Sequence, residues 1–221
     1  MTHELIILPT RSSRSRHRLL VLSMIVITTV AIVLWLGRCL NRPPTAHSGH
    51  PPWIYGTPTA RFTVVEFADL ECAYCGMYFP TLQAWIDAHP DVNWEWRHLP
   101  LAEHEPAATQ AARLAECAGE FGGSPLFWWT VQWLYQHPSE EIAHPEGLYR
   151  GPAAEAIRKC LQSDRPGAIV RRQRGEAAQE AITATPTLRL LDRRDGRAVT
   201  VAGIVSPDVL SSALDALATS N

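Results

Sequence analysis

Residues Leu19 to Leu36 form an apolar run without a charged side chain. In a helix rising about 1.5 Å per residue such a run nearly spans a hydrocarbon core of about 30 Å. Arg11, Arg14, Arg16 and Arg18 precede it, so the positive-inside rule places residues 1–18 in the cytoplasm as a basic tail. The expected layout is a single-pass anchor at 19–36 in the inner (cytoplasmic) membrane, with everything beyond it exported to the periplasm or its equivalent. A cleaved signal peptide is the competing reading. The run exceeds the usual ~7–15 apolar residues, and no small-x-small site follows it. Cys39 could suggest lipid attachment, but Arg38 stands where such a signal wants a small residue.

Residues 37–58 hold five prolines from Pro43 to Pro58 and no apolar periodicity, which predicts a linker. Residues 59–218 are then long enough to bury one sizeable core as a single domain. The first 40 residues carry a net charge of +4, which leaves −6 on the rest. A mildly acidic body argues against nucleic-acid binding, which needs a cationic face. No dimerisation stalk is evident, so a monomer is expected.

Within the domain, Phe62 to Ala68 has the β-branched and aromatic character of a buried strand, and Met77 to Ala88 has helical spacing. Cys72-Ala73-Tyr74-Cys75 lies at their junction. Val92 to Leu99 predicts a second strand. Pro106 to Asp164 is largely helical, with breaks at Gly122-Gly123, Pro138 and Gly151-Pro152. A helix from about Ala168 to Ile182, a hairpin of Thr187–Leu191 with Ala198–Ala202, and a helix from Pro207 to Ala218 capped by Ser206 complete the pattern.

A cysteine at a helix N-terminus meets unsatisfied N–H groups and the positive end of the helix dipole, so its pKa falls from about 8.5 towards 7 or below. Two intervening residues bring the second thiol within reach of the first. Cys72 can then attack or be attacked, while Cys75 resolves the mixed species. Half of a zinc site is the alternative, but Cys117 and Cys160 are too far apart to supply a closely spaced second pair. No metal site is expected. The Trp128, Trp129, Trp133 stretch reads as core, and His98 and His104 as solvated or capping residues.

Phe67-Ala68-Asp69-Leu70-Glu71-Cys72-Ala73-Tyr74-Cys75, Arg97-His98-Leu99-Pro100-Leu101, Ala115-Glu116-Cys117-Ala118 and Ala184-Thr185-Pro186-Thr187 follow one another in order. Together they resemble the DsbA-like thiol:disulfide oxidoreductases of the thioredoxin superfamily. The resemblance implies an α/β thioredoxin fold with a helical domain inserted at about 105–165, and an enzyme whose only redox group is the Cys72-Cys75 disulfide. It also implies that Cys72 is the exposed nucleophile and that Thr185-Pro186 is a cis-proline loop pairing with substrate backbone. Ala73-Tyr74 departs from the Pro-His or Pro-Tyr of many relatives, which leaves the potential open.

Glu66 stands where thioredoxin-like enzymes often bury a carboxylate that relays a proton to the second thiol. Strand alternation does not decide between this role and a solvent-facing carboxylate. Some relatives bridge their helical domain, so Cys117 and Cys160 are candidates for a structural disulfide, with free buried thiols as the alternative. The implied partners are exported cysteine-containing proteins and a quinone-linked DsbB-like membrane oxidase, or a DsbD-like reductant if the protein works as a reductase or isomerase. A non-enzymatic chaperone or metal-binding protein is the reading from another class.

Overall fold

The computed structural model describes residues 22–30, 51–137 and 148–219. The chain divides into two units, Met1–Thr45 and Ala46–Asn221. In the first, residues 22–30 are helical. Among the described residues no helix is long and apolar enough to cross a membrane. The basic tail, both ends of the expected anchor, Cys39 and the linker up to residue 50 lie outside the described residues.

The second unit is built on a five-stranded sheet of order β1-β3-β2-β4-β5. Its strands are β1 (Ile54–Gly56), β2 (Phe62–Ala68), β3 (Val92–His98), β4 (Thr187–Asp192) and β5 (Ala198–Ala202). β2 runs parallel to β3 and antiparallel to β4, and β1 closes the β3 edge antiparallel. The helices are α1 (Ala73–Asp87), α2 (Ala107–Gln136), α3 (Pro152–Leu161), α4 (Arg165–Gln179) and α5 (Pro207–Thr219), with a 3-10 turn at Ala102–His104. The helices α2 to α4 lie between β3 and β4 in the chain, and α2 and α3 fall within the expected insertion at about 105–165.

The folded unit begins earlier than residue 59. Ile54, Tyr55 and Gly56 pair with Glu95, Trp94 and Asn93, and Trp53 is buried at 3% exposure. Three strand residues framed by Pro52 and Pro58 are too short for period-2 alternation to register, which is why composition assigned them to the linker. Trp53 is held tightly: its Nε1 donates to Glu116 at 2.9 Å, and a Cβ added at Gly119 would lie 2.5 Å from its indole.

All seven residues of β2 are buried, because helices cover both faces of the central strand. The main core stacks Trp94, Trp96, Phe79, Phe127 and Trp128 with ring centroids 4.4–6.4 Å apart. Trp129 departs from the core reading at 45% exposure, since it lies on the outer face of α2. In α2, Gly123 adopts φ +69°, which bends the helix where Gly122-Gly123 predicted a break. Cys117 on α2 and Cys160 on α3 are disulfide-bonded across 43 positions of sequence. Closing a loop of that length restricts the unfolded chain by about 2–4 kcal/mol.

Candidate active site

Strand β2 ends at Ala68, the chain turns through Asp69, Leu70 and Glu71, and Cys72 becomes the N-cap of α1 with extended backbone angles. Cys75 falls in the first helical turn. Both are thiols in this structure. A Cys at this position meets backbone N–H groups that no earlier residue of the helix can satisfy.

Cys72 is the better anion. A hydrogen bond from the Cys75 thiol, bonds from the N–H groups of Cys75 and Tyr74, and Thr185, whose buried hydroxyl has no other partner, outweigh burial and lower its pKa to about 5. Cys75 is driven the opposite way by its hydrogen bond to Cys72, by burial and by the Glu66 charge. One thiol is thus prepared to be the nucleophile and leaving group, and the other keeps its proton until exchange demands it.

The expected exposure of Cys72 is not what the fold produces: the residue is only 5% exposed. Its access is through a cleft of about 500 Å³ lined by Glu71, Cys72, Met77, Leu134, Tyr135 and His137. Thr185-Pro186 is a cis peptide next to this cleft, and the Cys72 thiol donates to the Thr185 carbonyl across 3.6 Å. Tyr74 and Met77 stand 62% and 60% exposed beside it.

Glu66 is buried, and its Oε2 has no hydrogen-bond partner. Burial pushes its carboxyl up to about 8, partly countered by the Trp94 indole N–H, and its charge bears on both cysteines. The group therefore holds its proton at neutral pH. This carries a stability consequence. The folded pKa lies above the ordinary value of 4.5, so the folded state binds more protons and stability falls as pH rises from that value through about 8. Glu66→Gln is expected to stabilise the protein by about 3 kcal/mol at pH 7 and to remove the inflection near pH 8 from the rate of exchange. Denaturant titrations at pH 5 and 7, with stopped-flow exchange against pH, read both.

Two histidines depart from the solvated reading. His98 is 1% exposed; its Nδ1 accepts from Trp96 Nε1 at 2.9 Å, and its Nε2 faces Glu116 Oε1 at 3.2 Å. His104 contacts the buried Asp69 carboxylate at 2.7 Å, directly under the active-site turn. Among the described residues no group of three or more His, Cys, Asp or Glu is arranged to hold a metal ion.

A parallel β2-β3 pair, a helix starting at a reactive thiol and a cis-proline beside it define a thioredoxin-fold dithiol centre. The sequence profile of the thioredoxin family Thioredoxin_4 matches residues 48–215, and the chain belongs to this family, among its DsbA-like thiol:disulfide oxidoreductases. The crystal structure of Pseudomonas aeruginosa DsbA2 is 38% identical, covering 80% of this chain and 97% of that one with a TM-score of 0.68. A thioredoxin-like oxidoreductase from Silicibacter pomeroyi shares the fold at 24% identity, covering 76% and 92% with a TM-score of 0.62. Among curated proteins, the Na(+)/H(+) antiporter NhaA 3 of Salinispora tropica is 35% identical over 148 residues, which is 64% of this chain and 22% of that protein. The chain thus spans about a fifth of the length of the curated relatives it matches.

Proposed function

We propose that the protein is a membrane-tethered, extracytoplasmic disulfide-forming oxidase of exported proteins. The observation that carries the oxidising direction is the stabilised Cys72 thiolate, with its pKa lowered to about 5. A thiolate stabilised only in the reduced protein makes the Cys72-Cys75 disulfide a stronger acceptor of electrons.

A client thiolate attacks Cys72 Sγ, the Cys72-Cys75 bond breaks, and Cys75 leaves with a proton from Glu66. The client's second thiolate then attacks its own sulfur in the mixed disulfide, and Cys72 departs as the stabilised thiolate. Two client thiols are oxidised and the Cys72-Cys75 pair gains two electrons. Turnover requires a disulfide or quinone-linked membrane oxidase of the DsbB type to take those electrons back. The charge-free run from Leu19 to Leu36 supports the tether, which would hold enzyme and oxidase at one surface. The occurrence of similar domains in chains named as antiporters is consistent with work beside a membrane. Thr185-Pro186 and the cleft beside Cys72 are the proposed client-binding surface.

Equilibration of the purified protein with reduced and oxidised glutathione, read by thiol alkylation, tests the direction. A potential near about −120 mV is expected, and one near about −270 mV would make the protein a reductant.

A further inference from the structure

The turn that delivers Cys72 to α1 hangs on one buried carboxylate. Asp69 Oδ1 accepts the Glu71 N–H at 2.8 Å, and Oδ2 accepts the Leu101 N–H at 2.8 Å and meets His104 Nδ1 at 2.7 Å. Its backbone carbonyl accepts the Cys72 N–H at 3.1 Å and the Tyr135 hydroxyl at 3.2 Å. Asp69 therefore ties the active-site turn to the segment after β3 and to the end of α2.

Of these partners, His104 is the titratable one at the solvent edge, with its side chain 29% exposed and Asp69 fully covered. Nδ1 must carry a hydrogen to face the carboxylate, and the ring's other nitrogen decides its charge. The charges bearing on the ring are Asp69 from the turn, Cys72 from the start of α1 and Glu103 beside it, all negative and all favouring its protonation, Asp69 most strongly. Glu105, next along the chain, is engaged by Arg174 at 3.2 Å.

We propose that His104, docked on Asp69, is a positioning residue for exchange at Cys72: its protonated ring compensates the buried carboxylate beneath the active-site turn and thereby favours the Cys72 thiolate and the reduced state. When the ring is neutral, Asp69 is left as an uncompensated anion one turn from a second developing anion. The thiolate is then disfavoured and the protein becomes a weaker oxidant as pH rises. The inference rests on the reading of Cys72 as the exchanging thiolate.

Linkage makes the effect reciprocal: the Cys72 thiolate must hold the His104 proton as firmly as the His104 cation holds the thiolate. The test is therefore an NMR titration of the His104 ring in the dithiol and disulfide forms, joined to titration of the Cys72 thiolate by its ultraviolet absorbance in wild type, His104→Gln and His104→Lys. His104 is expected to titrate at higher pH in the dithiol form. His104→Gln should raise the thiolate midpoint by about half a unit or more, and His104→Lys should return it towards the wild-type value while removing its pH dependence. An equal His104 midpoint in both redox states, or an unmoved thiolate in His104→Gln, overturns the proposal. A wild-type thiolate midpoint near that of a free cysteine, about 8.5, would overturn the reading of Cys72 as well. A low wild-type midpoint with no response to His104 overturns this inference alone.

Discussion

Cys75→Ser is expected to turn the enzyme into a trap. With Cys72 alone, the thiolate still attacks a disulfide-containing peptide, forming a mixed disulfide and releasing one peptide thiolate. In the wild type, Cys75 sits one helical turn away on α1 and attacks the Cys72 sulfur from within the same molecule. Such intramolecular positioning is worth an effective concentration of at least ~10⁵ M in well-oriented systems. Its loss leaves resolution to free thiols in solution, so the adduct should persist at least about 10³-fold longer. Adducts should be visible on non-reducing gels with an oxidised model peptide and with exported proteins, and should be absent for Cys72→Ser. A Cys75→Ser protein that forms no adduct would count against every exchange step described above.

The second large effect lies away from the chemistry. Glu116 is 2% exposed, accepts the Trp53 Nε1 hydrogen at 2.9 Å and faces His98 Nε2 at 3.2 Å. Because Trp96 Nε1 donates to His98 Nδ1, the hydrogen of a neutral ring resides on Nε2, on the carboxylate's side of the ring though not hydrogen-bonded to it. Glu116→Ala strips the buried Trp53 donor of its acceptor, removes the carboxylate that His98 Nε2 faces and leaves a void beside Trp53. A loss of about 3–5 kcal/mol is expected, as for other buried pairs broken on one side, read as a lower denaturant midpoint with an unchanged slope. A loss below about 1 kcal/mol would mean that water reaches the donors, so that the network contributes little to holding Trp53.

What was legible in the sequence followed from local physics. Phe62–Ala68 reads as a strand because β-branched and aromatic side chains suit a covered sheet, and Cys72 reads as a helix-capping thiol because strand and helix abut at that residue. The cis Thr185-Pro186 peptide lies against Cys72 although more than 100 positions separate them, an arrangement that resemblance implied and strand periodicity alone did not. Glu66 was undecidable because alternation assumes one wet face, and β2 has none. His98 and His104 read as solvated or capping residues in the sequence because their partners Glu116 and Asp69 lie 18 and 35 positions away, beyond the reach of any helical or strand period. β1 was missed because three residues are too few to carry a pattern.

The Cys117-Cys160 bond has a bearing on how the enzyme itself comes into being. It braces α2 to α3 and stands apart from the dithiol that performs exchange. A newly made chain must therefore receive a disulfide before its insertion is fully secured, which makes each molecule a client of the same kind of chemistry it goes on to perform. Copies matured in a reducing compartment would carry the Cys72-Cys75 pair on a scaffold whose α2 and α3 are no longer tied together.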